Sequence, residues 1–138
     1  MKKINILSIL FISFLILNCN SDKNKETENK MTQTNSKILR HVVLFKFKES
    51  TSDEKIKEIE KAFSSLPSKI PQIMDYEWGI NNSPEGLNKG LTHCFFLSFK
   101  SEEDREIYLL HADHKAFGLL LTPHLGDAVV VDYWTTPN

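Results

Sequence analysis

The chain has little cysteine, no basic surplus in its larger part and no apolar run long enough to cross a bilayer. Its 138 residues contain two cysteines, Cys19 and Cys94, which excludes a disulfide framework. With Cys19 assigned to lipid, as argued below, Cys94 stands alone and the fold must rest on its hydrophobic core. The formal net charge of −1 is unevenly spread: the first 37 residues hold six Lys against three Asp or Glu, leaving 11 basic and 15 acidic residues for the remainder. A domain with that balance lacks the positive surface that attracts phosphates, so no nucleic-acid partner is expected. The apolar stretch Ile4–Leu17 is fourteen residues long and is interrupted by Asn5, Ser8 and Ser13. That falls short of the ~20 residues a spanning helix needs. His111-x-x-His114 with His41 or His93 would offer three nitrogens to a metal, but no Cys or Glu accompanies them at a metal-motif spacing, and no metal is expected.

What is present at the start is a leader. Met1-Lys2-Lys3 is a basic n-region, and Ile4–Leu17 has the length of a signal-peptide h-region. Leu15-Ile16-Leu17-Asn18-Cys19 resembles the lipobox of bacterial lipoproteins, with Asn18 where Gly, Ala or Ser is usual. The resemblance implies cleavage after residue 18 and diacylglycerol on Cys19. Each buried methylene contributes about 0.8 kcal/mol, so two or three acyl chains anchor the chain firmly. The competing readings are a secretory signal with an incidental cysteine and an uncleaved anchor. Residues 19–36 carry Met31 as their sole large apolar side chain, so they are expected to form a disordered tether. The expected location is the cell envelope, lipid-anchored, with the outer membrane favoured.

Residues 37–138 read as one folded domain. Ile38–Phe47 alternates, with Leu39, His41, Val43, Phe45 and Phe47 on one face and Arg40, Val42, Leu44 and Lys46 on the other. Thr51-x-x-Glu54 predicts a capping box, and Ile56, Ile59, Phe63 and Leu66 form the apolar stripe of the helix it opens. Pro67 and Pro71 end that helix. A second strand spans Ile73–Ile80, and Asn81–Gly86 is a loop. A third strand spans Leu91–Phe99, and Ser101-x-x-Asp104 caps a helix to about Leu110. A break at His111–His114 precedes a short helix to Leu121, then a turn over Thr122–Gly126 and a last strand, Ala128–Trp134. The charged residues at 53–61 read as a solvated helix face.

This β-α-β-β-α-β order predicts a ferredoxin-like α+β unit. Helices cover one face of its sheet. The other face is apolar too, through Val42, Leu44, Cys94, Phe96, Val129, Val131 and Tyr133, which fall on three adjacent strands. So large a patch calls for cover, and a two-fold homodimer with facing sheets is the simplest solution. Cys94 then faces the interface, where an inert thiol is expected over the alternative of an intersubunit disulfide.

Several segments are similar to the stress-responsive A/B barrel (Dabb) family: Arg40–Lys48, Thr92-His93, Ser98-Phe99, Tyr108-x-x-His111-x-x-His114-x-x-Phe117 and Val131-Asp132-Tyr133. The resemblance covers about residues 37–135. It implies a dimeric α+β barrel and no cofactor. One plant member is a cyclase that closes a linear polyketide by aldol condensation. By that resemblance His114 matches its catalytic histidine, Tyr108 the partner tyrosine, His41 and His93 pocket histidines, and Asp132 an aspartate. Phe63 stands where the cyclase has a pocket tyrosine, which argues against the same substrate.

Strand parity points His41 and His93 to the helix-covered face, with Tyr108, His111 and His114 above them. The expectation is that four imidazoles and a phenol converge on one cavity lined by Phe45, Phe95, Phe117 and Trp78. A half-buried imidazole stays neutral and can act as a base, and Tyr108 can donate to a carbonyl oxygen as it gains charge. Structural readings stand beside these. His41 and His93 serve equally as core histidines bonded to Asp132 or to backbone, and His111 as a helix cap. A Tyr108–His114 hydrogen bond would fix the helix break, and the aromatic residues would be core. Three functions remain open: a binder of a small hydrophobic or carbonyl-bearing ligand, a cofactor-free cyclase or isomerase, and a structural envelope protein. An anchored domain outside the cytoplasm would have no access to acyl-CoA pools, which argues against a copy of the plant cyclase's thioester-linked chemistry.

Overall fold

The computed structural model describes residues 37–135. The expected signal peptide, the lipid on Cys19 and the tether lie outside the described residues. Alternation in the first strand, β1 (Leu39–Phe47), places Leu39, His41, Val43 and Phe45 in the interior and leaves Val42 and Leu44 half-buried on the opposite face. Helix α1 (Asp53–Ser64) follows, then a turn of 3₁₀-helix at Leu66–Ser68 that carries Pro67. The second and third strands are β2 (Asp75–Ile80) and β3 (His93–Phe99). Two helices, α2 (Glu102–Leu110) and α3 (Ala112–Leu121), precede a 3₁₀ turn at Thr122–His124 and the last strand, β4 (Leu125–Trp134).

The sheet runs β2-β3-β1-β4 and is antiparallel throughout, the order expected of a ferredoxin-like unit. Pairing of His41 with Leu97 and with Asp132 sets the register that fixes every inward side chain. Under the helices lies a core of Ile59, Phe63, Leu66, Ile70, Phe95, Leu97, Phe99, Tyr108, Phe117 and Leu121. Phe63 stacks on Phe95 with ring centroids 4.1 Å apart. Full burial of each such side chain contributes about 1.5–3 kcal/mol.

Several predicted boundaries shift: β2 and β3 each begin two residues later than expected, at Asp75 and His93, and local chemistry moves three more. The N-cap of α1 is Ser52, not Thr51: the Ser52 hydroxyl accepts from Lys55 N at 3.3 Å, while Thr51 Oγ1 donates to the carbonyl of His124 at 3.4 Å. The predicted turn over Thr122–Gly126 gives its last two residues to β4. Gly126 lies against β1 so closely that a Cβ there would come within 3.2 Å of the Lys46 and Phe47 carbonyl oxygens, at the point where the strand register shifts. The break between α2 and α3 is a single residue, His111, with extended backbone at φ −62° and ψ 142°.

On the face away from the helices, Val129, Val131 and Tyr133 are exposed beside half-buried Val42, Leu44, Cys94 and Phe96. Arg40 crosses this face with its guanidinium 5.2 Å from the Phe96 ring centre. It also donates to the hydroxyl of buried Ser98.

Candidate functional site

The one-residue break at His111 shapes the site. It turns the chain so that Tyr108, in the last turn of α2, meets His114, in the first turn of α3, with ring centroids 4.3 Å apart. Beneath them is a cavity of about 290 Å³ between helices and sheet. Its walls are His41, Val43 and Phe45 of β1, Phe63 of α1, Tyr108 and Leu109 of α2, His114, Phe117, Gly118 and Leu121 of α3, and Val130 and Asp132 of β4.

The hydrogen bonds assign the ring nitrogens. His114 Nδ1 lies 3.1 Å from the carbonyl oxygen of Leu109. A carbonyl only accepts, so Nδ1 carries the proton and Nε2 presents a lone pair. Burial holds the His114 imidazole below its ordinary pKa; the Leu109 carbonyl partly offsets this, and nearby His41 adds to it. His41 Nδ1 donates to Asp132 Oδ1 at 2.6 Å, so Nε2 is its other ring nitrogen, away from the carboxylate. The second oxygen of Asp132 accepts from Arg105 at 3.0 Å. Tyr108 is 1% exposed, and its phenol is pushed well above the usual range by burial and then by Tyr76. The Tyr108 hydroxyl therefore stays protonated, as a donor. Tyr108 meets His114 by ring packing, and among the described residues no hydrogen bond joins the two side chains; His114 Nδ1 is held by Leu109 instead.

His41, Phe63, Tyr108, His114, Phe117 and Asp132 thus share one cavity. The expectation fails for two imidazoles and two aromatic residues. His93 sits in a separate recess of about 340 Å³ beside Lys46, Phe47 and Ile56. Its Nε2 lies 3.0 Å from Glu60 Oε1 and its Nδ1 lies 2.8 Å from Thr92 Oγ1, so both ring nitrogens are occupied. Trp78 and Phe95 stack with His93 and do not line the cavity. The half-buried His111 caps α3: its Nδ1 accepts from Asp113 N at 3.2 Å.

Two residues escaped the sequence reading. Glu60 falls within the stretch read as a solvated face, but it is i+4 from Ile56 and borders the apolar stripe, which brings it to His93. Arg105 lies i−3 from Tyr108, on the side of α2 that meets the sheet. A larger recess of about 520 Å³ opens on the far side of the sheet around Leu44, Trp78, Ile80, Leu87, Cys94 and Phe96. It contains no histidine or tyrosine, and it lies on the bare face, so the smaller cavity is the candidate site. Among the described residues no group of three or more His, Cys, Asp or Glu is placed to hold a metal ion.

A ferredoxin-like α+β domain with a His/Tyr-lined cavity beneath its second helix pair defines a class. The model of the Stress responsive A/B Barrel Domain family (Dabb) matches residues 39–135, and the chain belongs to that family. The chain is 35% identical over 98 residues to the stress-response A/B barrel domain-containing protein HS1 of Arabidopsis thaliana, covering 71% of this chain and 90% of that protein. Over 95 residues it is 26% identical to the olivetolic acid cyclase of Cannabis sativa, covering 69% of this chain and 94% of the cyclase. Among solved structures, a dimeric ferredoxin-like protein from Thermobifida fusca aligns with a TM-score of 0.62 and 26% identity, covering 72% of this chain and 92% of that one.

Proposed function

We propose that this protein is a lipid-anchored envelope protein whose A/B barrel domain, as a homodimer, binds a small hydrophobic or carbonyl-bearing ligand in the cavity under α2 and α3. One observation carries the reading. A mostly apolar cavity of about 290 Å³ is lined by His41, Tyr108 and His114, and each imidazole is tied to the fold through Nδ1, at Asp132 and at the Leu109 carbonyl, so that Nε2 is the ring nitrogen left for a ligand. Sites for small molecules have this composition, mostly apolar with a few convergent polar groups. Mass spectrometry of what co-purifies with the full chain tests it. A bound small molecule that His114→Gln releases supports the proposal; an empty protein that takes up no apolar carbonyl compound on titration rejects it.

A second reading, a cofactor-free cyclase or isomerase, is favoured by the pairing of His114 with Tyr108. A neutral imidazole with a free lone pair stands beside a phenol that keeps its proton. His114 would take a proton from carbon next to a carbonyl while Tyr108 donates to the oxygen. Deuterium exchange at that carbon, followed by NMR, checks it: exchange abolished by His114→Gln supports catalysis, and binding without exchange leaves a binder.

The anchor rests on Cys19 and its lipobox-like setting. Membrane fractionation of Cys19→Ser tests it, and a chain that stays membrane-bound without its cysteine refutes it. The homodimer is supported by the bare apolar face and by the dimeric relative from Thermobifida fusca.

A further inference from the structure

We infer that Arg105 is the positioning residue of this cavity: it holds Asp132, and through it the imidazole of His41, in a single orientation. The three side chains come from three elements, Arg105 from α2, Asp132 from β4 and His41 from β1. Arg105 Nη1 lies 3.0 Å from Asp132 Oδ2, and Asp132 Oδ1 lies 2.6 Å from His41 Nδ1. Each carboxylate oxygen thus has its own donor.

The arrangement matters because of where Asp132 sits. Strand β4 is the edge of the sheet, paired with β1 alone, and its residues from Gly126 to Trp134 are exposed. A carboxylate on such a strand has solvent within reach and other rotamers to adopt. The guanidinium ties it back over the sheet, against a histidine side chain that is 6% exposed. His41 is then oriented twice over, by the carboxylate at Nδ1 and by edge-to-face packing against Tyr108 and Phe99 at 5.8 and 6.1 Å. An acceptor-only partner at Nδ1 fixes the proton there and leaves Nε2 as the ring atom open to a ligand. Arg105 also balances the charge of Asp132 beside the cavity. That matches the uncharged ligand of the reading above, on which the functional sense of this inference rests.

The test reads the ring and needs no ligand. In the full chain with ¹⁵N-labelled histidine, NMR at mildly alkaline pH is expected to show His41 as the Nδ1–H tautomer. In Arg105→Gln the Nε2–H population is expected to rise about tenfold, the scale of losing one charge-assisted hydrogen bond. Arg105→Lys, which keeps the charge, is expected to restore most of the wild-type ratio. An unchanged tautomer in Arg105→Gln overturns the inference, as does a change that Arg105→Lys fails to reverse, which marks a packing role. If Arg105→Gln does not fold, Arg105→Met carries the test, because it removes the donor to Asp132 Oδ2 while keeping the bulk of the side chain; an unaltered Nδ1–H tautomer there also overturns the inference. A cavity that binds nothing would refute the ligand reading and leave these spectra as they are.

Discussion

At His114, burial and hydrogen bonding pull in opposite directions, and burial prevails: the imidazole is held below its ordinary pKa. Between the lowered value and the ordinary one of about 6.5, the unfolded chain binds a proton that the folded chain does not. This contribution to stability is complete above the ordinary value and is lost as pH falls toward the lowered one. Chemical denaturation of wild type and His114→Gln across the acid range checks it: the wild type is expected to lose more stability on acidification than the variant. Tyr108 supplies a complementary prediction. Burial and Tyr76, with no hydrogen bond to offset them, raise the Tyr108 phenol, so Tyr108→Phe is expected to remove a polar group without unpairing another among the described residues. Thermal unfolding is expected to place Tyr108→Phe within about 0.5 kcal/mol of wild type, while affinity for a carbonyl ligand falls at least severalfold. A large loss of stability would mean that the hydroxyl is part of the fold's own network.

Among the elements, the caps divide into one that the sequence located and one that it missed by a residue. Ser101 caps α2 as predicted, accepting from Asp104 N at 3.1 Å. Either Thr51 or Ser52 satisfies the local pattern for α1, and the choice falls to Ser52 because a distant carbonyl, that of His124, takes the Thr51 hydroxyl. Ser52→Ala and Ser101→Ala are each expected to lower stability by about 1 kcal/mol in denaturant titrations, and Thr51→Ala by less. The same division runs through the site. The sheet face of His41 and His93 follows from a period of two, and the placing of Tyr108 and His114 from the helix break. The partner of His93 does not follow. Glu60 sits among charges at the border of an amphipathic stripe, and only the packing of α1 on β3 decides that it turns inward. Arg105 is hidden for the same reason: a basic residue in an exposed-looking helix gains a role from a strand that begins twenty residues later. Local periodicity therefore carries the faces and the caps, whereas the pairing of charges across elements depends on tertiary contact.

For the molecule as a whole, the bare side of the sheet is the unfinished part. Val129, Val131 and Tyr133 are 39%, 47% and 46% exposed, and the edge strand that bears them shows Val130 and Trp134 to solvent on its other side as well. A long apolar edge strand next to an apolar face invites association, and a two-fold partner buries both without leaving an open-ended contact. Val131 offers the cleanest test, because it lies opposite Val42 near the middle of the face and is already half-exposed in the isolated chain. Val131→Lys is expected to change the stability of one protomer by no more than about 0.5 kcal/mol. In a dimer, however, the same charge would be buried without a partner, at a cost large enough to shift assembly. Light scattering at micromolar concentration should then report twice the protomer mass for wild type and a smaller mass for Val131→Lys, with unchanged circular dichroism. A wild-type monomer would refute the dimer and leave the apolar face to another partner. A wild-type dimer that tolerates Val131→Lys would move the interface off this face, and with it the ground for expecting half-buried Cys94, whose thiol burial pushes up, to be unreactive.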